Sequence, residues 1–146
     1  MNLIYAREAI TPTIFLAGPT PRDDVTRSWR PEALRILEKY KFEGNVFIPE
    51  NRVYTDGYDY DKQVNWEWRA LETSTAILFW VPRELQCMPA MTTNVEFGHY
   101  VKDVRVVLGY PKDAPHMKYL HALADRYSVP IFYDLEKAVI EAINMA

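Results

Sequence analysis

Five short apolar runs, Thr13 to Ala17, Asn45 to Ile48, Ala76 to Val81, Val104 to Leu108 and Val129 to Tyr133, are separated by segments with helical periodicity. A run with no polar alternation has no solvent face, so each predicts a strand buried on both sides; strands alternating with helices predict a parallel sheet covered on both faces. The helices are expected from near Pro31 to Gly44, from about Asp61 to Thr73, after the threonines Thr92 and Thr93 with Val95, Phe97 and Tyr100 in it, from about His116 to Tyr127, and from near Asp134 onward. Right-handed crossovers then give an α/β three-layer sandwich with a five-stranded parallel sheet, order 2-1-3-4-5, whose switch point lies between strands 1 and 3.

The 146 residues suit one domain spanning 1–146, large enough to bury a core without metal or disulfide support. A net charge of −3 argues against a nucleic-acid partner, which would demand clustered Lys and Arg. The single cysteine, Cys87, has no intramolecular partner, and no Cys/His cluster has zinc-ligand spacing, so no metal is expected. The N-terminus lacks a basic region followed by an apolar one, and no apolar run approaches the ~20 residues that span a bilayer. No membrane association is expected, and the reading is a soluble, cytoplasmic protein.

The loops after strands 1 and 3, Gly18 to Arg30 and Pro82 to Thr93, flank the switch point, where open α/β sheets bind ligands. In the first, Gly18 allows close backbone approach, while Thr20 and Arg22 offer a hydroxyl and a cation. There is no GxGxxG fingerprint and no phosphate-loop lysine, so NAD and ATP lack support. After the second loop, Met91-Thr-Thr-Asn-Val-Glu96 puts a carboxylate in the expected first turn of the third helix. A structural alternative exists: Thr93-x-x-Glu96 is also the pattern of a capping box.

Gln63-Val-Asn-Trp-Glu-Trp-Arg69 places Gln63, Trp66, Glu67 and Ala70 along one helix face. Trp66 or Trp68 is a candidate platform for an aromatic base, and Glu67 for proton exchange. Against this, Trp66 is equally at home in a core. Arg83 and Glu84, just after strand 3, are candidates for the crevice mouth or a solvated pair. His99, His116 and His121 fit no Ser/His/Asp or Cys/His pattern and read as structural or exposed.

Taken together, Ile14-Phe-Leu-Ala-Gly-Pro19, Gln63-Val-Asn-Trp-Glu-Trp68 with Ile77-Leu-Phe-Trp-Val-Pro-Arg83, and Thr92-Thr-Asn-Val-Glu-Phe-Gly98 resemble the nucleoside 2-deoxyribosyltransferase family, in its 2-deoxyribosyltransferase-like branch. The resemblance extends over nearly the whole chain. It implies a flavodoxin-like fold, no metal or organic cofactor, a glutamate nucleophile at Glu96, and an acid at Glu67 that handles the leaving base's proton. The chain departs from better-known members in carrying Ile14 where they have a tyrosine, and Ala90 where many have an aspartate. Thr92, Thr93 and Asn94 stand where they could take over sugar contacts.

The resemblance implies an enzyme of nucleotide metabolism, or salvage, that cleaves the N-glycosidic bond of 2′-deoxynucleosides or their 5′-monophosphates and transfers the deoxyribosyl group to another base. Two alternatives stand beside it. One is a hydrolase of nucleoside 5′-monophosphates, in which Thr20 and Arg22 resemble the hydroxyl and arginine of related N-glycosidases; the other is a nucleotide-sensing module without turnover. Related transferases complete their sites across an interface, and Trp29, Trp66, Trp68, Tyr54, Tyr58 and Tyr60 are numerous for one small fold to bury, so a homo-oligomer is expected.

Overall fold

The computed structural model describes residues 10–50 and 59–146. Its elements run β1 (Thr13–Ala17), α1 (Arg30–Lys39), β2 (Asn45–Phe47), α2 (Tyr60–Thr73), β3 (Ala76–Trp80), α3 (Met91–Tyr100), β4 (Val106–Gly109), α4 (Lys118–Arg126), β5 (Ile131–Phe132) and α5 (Leu135–Met145). All strand pairs are parallel, in the order β2-β1-β3-β4-β5. The expected α/β sandwich and strand order are both present.

Every residue of β1, β3 and β4 is buried, as uninterrupted apolar runs require. Alternation along β1 splits the core. Phe15 and Ala17 join Ile77, Phe79 and Leu108 under α2, α3 and α4, where Leu71, Phe97 and Leu120 meet them. Ile14 and Leu16 face the other way with Leu78, Trp80 and Val107, against Ala33, Leu37 and Val139 of α1 and α5. Ile14 therefore turns its side chain into the α1/α5 layer.

Two of the boundaries that differ from the sequence reading do so for clear local reasons. Helix α1 stops at Lys39 rather than running to Gly44: Lys41 adopts φ 53°, its N–H bonds to Glu38 O, and the Phe42 N–H bonds to Leu37 O, the Schellman closure normally built on glycine. Strand β4 starts at Val106, not Val104, which is 88% exposed. Asp103 turns the chain there by accepting from the Arg105 backbone and guanidinium, and that guanidinium also donates to the carbonyls of Leu71 and Ser74 at the end of α2.

Candidate active site

A crevice of about 570 Å³ opens at the carboxyl ends of β1 and β3, at the switch point of the sheet. The loop after β1 contributes Gly18, Thr20, Asp23, Asp24 and Thr26. The segment after β2 contributes Pro49 and Glu50, helix α2 contributes Tyr60, Gln63, Val64 and Glu67, and α3 contributes Thr92, Thr93 and Glu96.

Gly18 is where β1 leaves the sheet, with φ 151°. A Cβ there would lie 2.1 Å from the Trp80 carbonyl and 2.9 Å from the Trp29 ring, so only glycine lets the loop pass over the end of β3. The two flanking loops are tied together. The Arg22 N–H donates to Cys87 O at 2.9 Å, and hydrogen bonds from the Cys87 thiol and from Thr26 hold the Asp23 carboxyl down at about 2.

Helix α3 corrects the expected position of Glu96. Ala90 takes a left-handed conformation, φ 59°, and ends the β3 loop, so the helix begins at Met91 and Glu96 falls in its second turn rather than its first. Thr93 is the third helical residue, only 3% exposed, and no side chain caps the helix, so the capping box does not form. Thr92, Thr93 and Glu96 all face the crevice instead.

Glu67 reaches the same crevice from α2, and the Gln63 side-chain amide one turn earlier donates to its Oε1 at 2.7 Å. Burial pushes the Glu96 carboxyl up to about 7; the negative charge of Glu67 adds to the rise and the Arg30 cation opposes it. At neutral pH Glu96 can therefore serve as carboxylate or acid with little change in conditions.

Arg30 and Glu50 are the site residues that sequence reading passed over. Arg30 is 1% exposed. Its Nε donates to Leu16 O at 3.0 Å, Nη2 to Gly18 O at 2.7 Å, and Nη1 to Thr20 Oγ1 at 3.0 Å and to the Glu50 carboxylate. Burial lowers the Arg30 pKa, and the negative charge of Glu50 opposes that fall. One guanidinium thus fastens the end of β1, the loop after it and the segment after β2. A signal was present: a cation at the first residue of a helix, beside Pro31, opposes the helix dipole and needs another reason to be there.

Other expected residues lie elsewhere. Trp66 packs its ring against Phe15 and Phe47, with centroids 6.4 and 5.9 Å apart, and does not line the crevice. Arg83 is buried behind α3: its Nη2 donates to Asn94 Oδ1 at 2.6 Å, so Arg83 and Asn94 brace each other outside the lining. Arg22 is exposed and also outside the lining. Of the histidines, His99 is exposed beside Tyr100, and His121 contacts the Tyr110 hydroxyl just past the carboxyl end of β4. Tyr54 and Tyr58 lie outside the described residues. Among the described residues no group of His, Cys, Asp and Glu is arranged to hold a metal ion, and no helix is long and apolar enough to cross a membrane.

No curated protein matches the chain. The family described as "Nucleoside 2-deoxyribosyltransferase like" matches residues 11–114, from just before β1 to just past β4, a span that holds all the described residues lining the crevice. The match covers well over half of the sequence, and the chain belongs to the nucleoside 2-deoxyribosyltransferase-like family.

Proposed function

We propose that the protein cleaves the N-glycosidic bond of 2′-deoxynucleosides and transfers the deoxyribosyl group to a second base, with Glu96 as nucleophile. The supporting observation is the pair of carboxylates, Glu96 and Glu67, that enter one crevice from two helices. A glycosidic bond breaks through an oxocarbenium-like state that a nearby carboxylate stabilises and traps. The Glu96 carboxylate forms a bond to C1′ as the C1′–N bond breaks; that electron pair goes to the base nitrogen, which takes a proton from Glu67. An incoming base then attacks C1′, Glu96 departs as carboxylate, and the proton lost by the new base returns to Glu67. Water in place of the base gives hydrolysis by the same steps.

The charge of the lining favours the nucleoside over its 5′-monophosphate. Asp23, Asp24, Glu50, Glu67 and Glu96 all border the crevice, and among the described lining residues there is no Lys or Arg to meet a phosphate. The Thr20 hydroxyl that the phosphate reading relied on accepts from Arg30, while Arg22 lies outside.

A homo-oligomer is part of the same proposal, because a shallow crevice exposes a glycosyl-enzyme to water. Tyr60, Trp68, Met91 and Val95 are 67, 57, 68 and 73% exposed on the two helices that carry Glu67 and Glu96. Such a surface suits a covering subunit. Light scattering that finds a fully active 17.1 kDa monomer would sink this part.

The test of function is incubation with deoxynucleosides and their 5′-monophosphates, with and without a free acceptor base. Exchange products from the nucleosides support the reading. Binding of nucleosides without product would make the protein a sensor, and cleavage confined to monophosphates would make it an N-glycosidase of nucleotides.

A further inference from the structure

Glu50 follows β2 and borders the crevice, whose lining also includes Pro49, Tyr60 and Val64. Its donors converge on a single oxygen. The Ser28 hydroxyl donates to Oε1 at 2.6 Å, and Arg30 Nη1 donates to the same Oε1. Among the described residues none donates to Oε2. The carboxylate is also fixed in orientation: Arg30 is held by the carbonyls of Leu16 and Gly18, so it cannot follow Glu50 if that side chain turns.

The lining is chemically mixed. Pro49, Tyr60 and Val64 give the crevice that Glu50 borders apolar surface suited to the flat face of a heteroaromatic ring, whereas Thr92 and Thr93, on the helix of Glu96, supply hydroxyls. A carboxylate oxygen only accepts hydrogen bonds, so what sits against Oε2 must donate one.

We propose that Glu50 is a specificity-determining residue that reads the base: Oε2 accepts a hydrogen bond from an exocyclic amino group, so the crevice favours amino-substituted bases over their oxo counterparts. This rests on the nucleoside reading above. In the same pose an oxo base sets a carbonyl oxygen against a fixed carboxylate, leaving both acceptors without a donor, a penalty of roughly tenfold or more in affinity. Selection here works by repulsion as much as by attraction.

Substituting Glu50→Gln inverts this preference for a definite reason. Ser28 and Arg30 both donate toward the Oε1 position, so they hold the amide oxygen there and turn the NH2 group toward the crevice. An acceptor becomes a donor. The test is calorimetric binding of deoxyadenosine against deoxyinosine, and of deoxycytidine against deoxyuridine, to the wild-type protein and to Glu50→Gln. The expected result is a wild-type preference of roughly tenfold or more for the amino member of each pair, narrowed or reversed in the variant. Equal wild-type affinities within the pairs, or a preference that survives Glu50→Gln, would overturn the proposal. The wild-type comparison decides it even if the variant does not fold. Cleavage of nucleosides bound without selection would remove the role of Glu50 and keep the proposed function, whereas failure to bind any of the four would remove both.

Discussion

Glu67 on α2 and Glu96 on α3 face each other's charge across one crevice, and that charge is, after burial, the larger reason that the Glu96 carboxyl is raised to about 7. Two carboxylates in one partly dry site cannot both ionise without cost, and that cost falls on Glu96. Arg30, below the floor, pulls the other way.

If Glu96 acts as carboxylate, turnover in the wild-type protein rises with pH along a limb centred near 7, the value at which Glu96 loses its proton. Glu67→Gln removes the negative charge that Glu67 places beside Glu96 whenever it does not hold the base's proton, so the limb moves to lower pH, while the maximal rate falls through loss of the group that delivers that proton. The pH profiles of single-turnover cleavage check both effects. A limb that stays in place in Glu67→Gln would contradict the coupling.

The same shift has a cost in stability whose sign can be worked out. A carboxyl with a folded pKa raised from 4.5 to about 7 binds protons more tightly in the native state, so the fold loses stability as pH climbs through that window. Glu96→Gln removes the ionisation. It should stabilise the protein by on the order of 2 kcal/mol at pH 8 and by little at pH 4. Urea unfolding at the two values measures this, and a variant less stable than wild type at pH 8 would contradict it.

Arg30→Met strands the Glu50 carboxylate and leaves the carbonyls of Leu16 and Gly18 without their donors. Breaking a buried pair from one side costs about 3 kcal/mol or more. Arg30→Lys keeps the charge but not the fork, so it should fall between wild type and Arg30→Met in denaturant midpoint. It should also retain the Glu96 limb closer to its wild-type position. Equal stability of all three proteins would remove Arg30 from the centre of the site.

The sheet was legible in the sequence because β1, β3 and β4 are buried on both faces, and that condition leaves an apolar run with no alternation to misread. Glu96 and Glu67 were legible as residues, but the turn that holds Glu96 was not. Its helix starts from a left-handed alanine, Ala90, a conformation that a sequence assigns to glycine or asparagine. Lys41 hides the end of α1 in the same way. Arg30 escaped because its burial depends on acceptors from β1, the following loop and the segment after β2, which only the fold brings together. Trp66 flanks a carboxylate in sequence and takes the core alternative, turning to Phe15 and Phe47, while Gln63 and Glu67 face the crevice.

The central assignment is the covalent role of Glu96, and its most direct test is the release of free base from a deoxynucleoside by Glu96→Ala, alongside its denaturation curve. Because Glu96 caps no helix, the variant loses none of the roughly 0.5 to 2 kcal/mol that a cap supplies. The expected result is a folded protein that binds the nucleoside and releases no base above background. Base release near the wild-type rate from Glu96→Ala would contradict it.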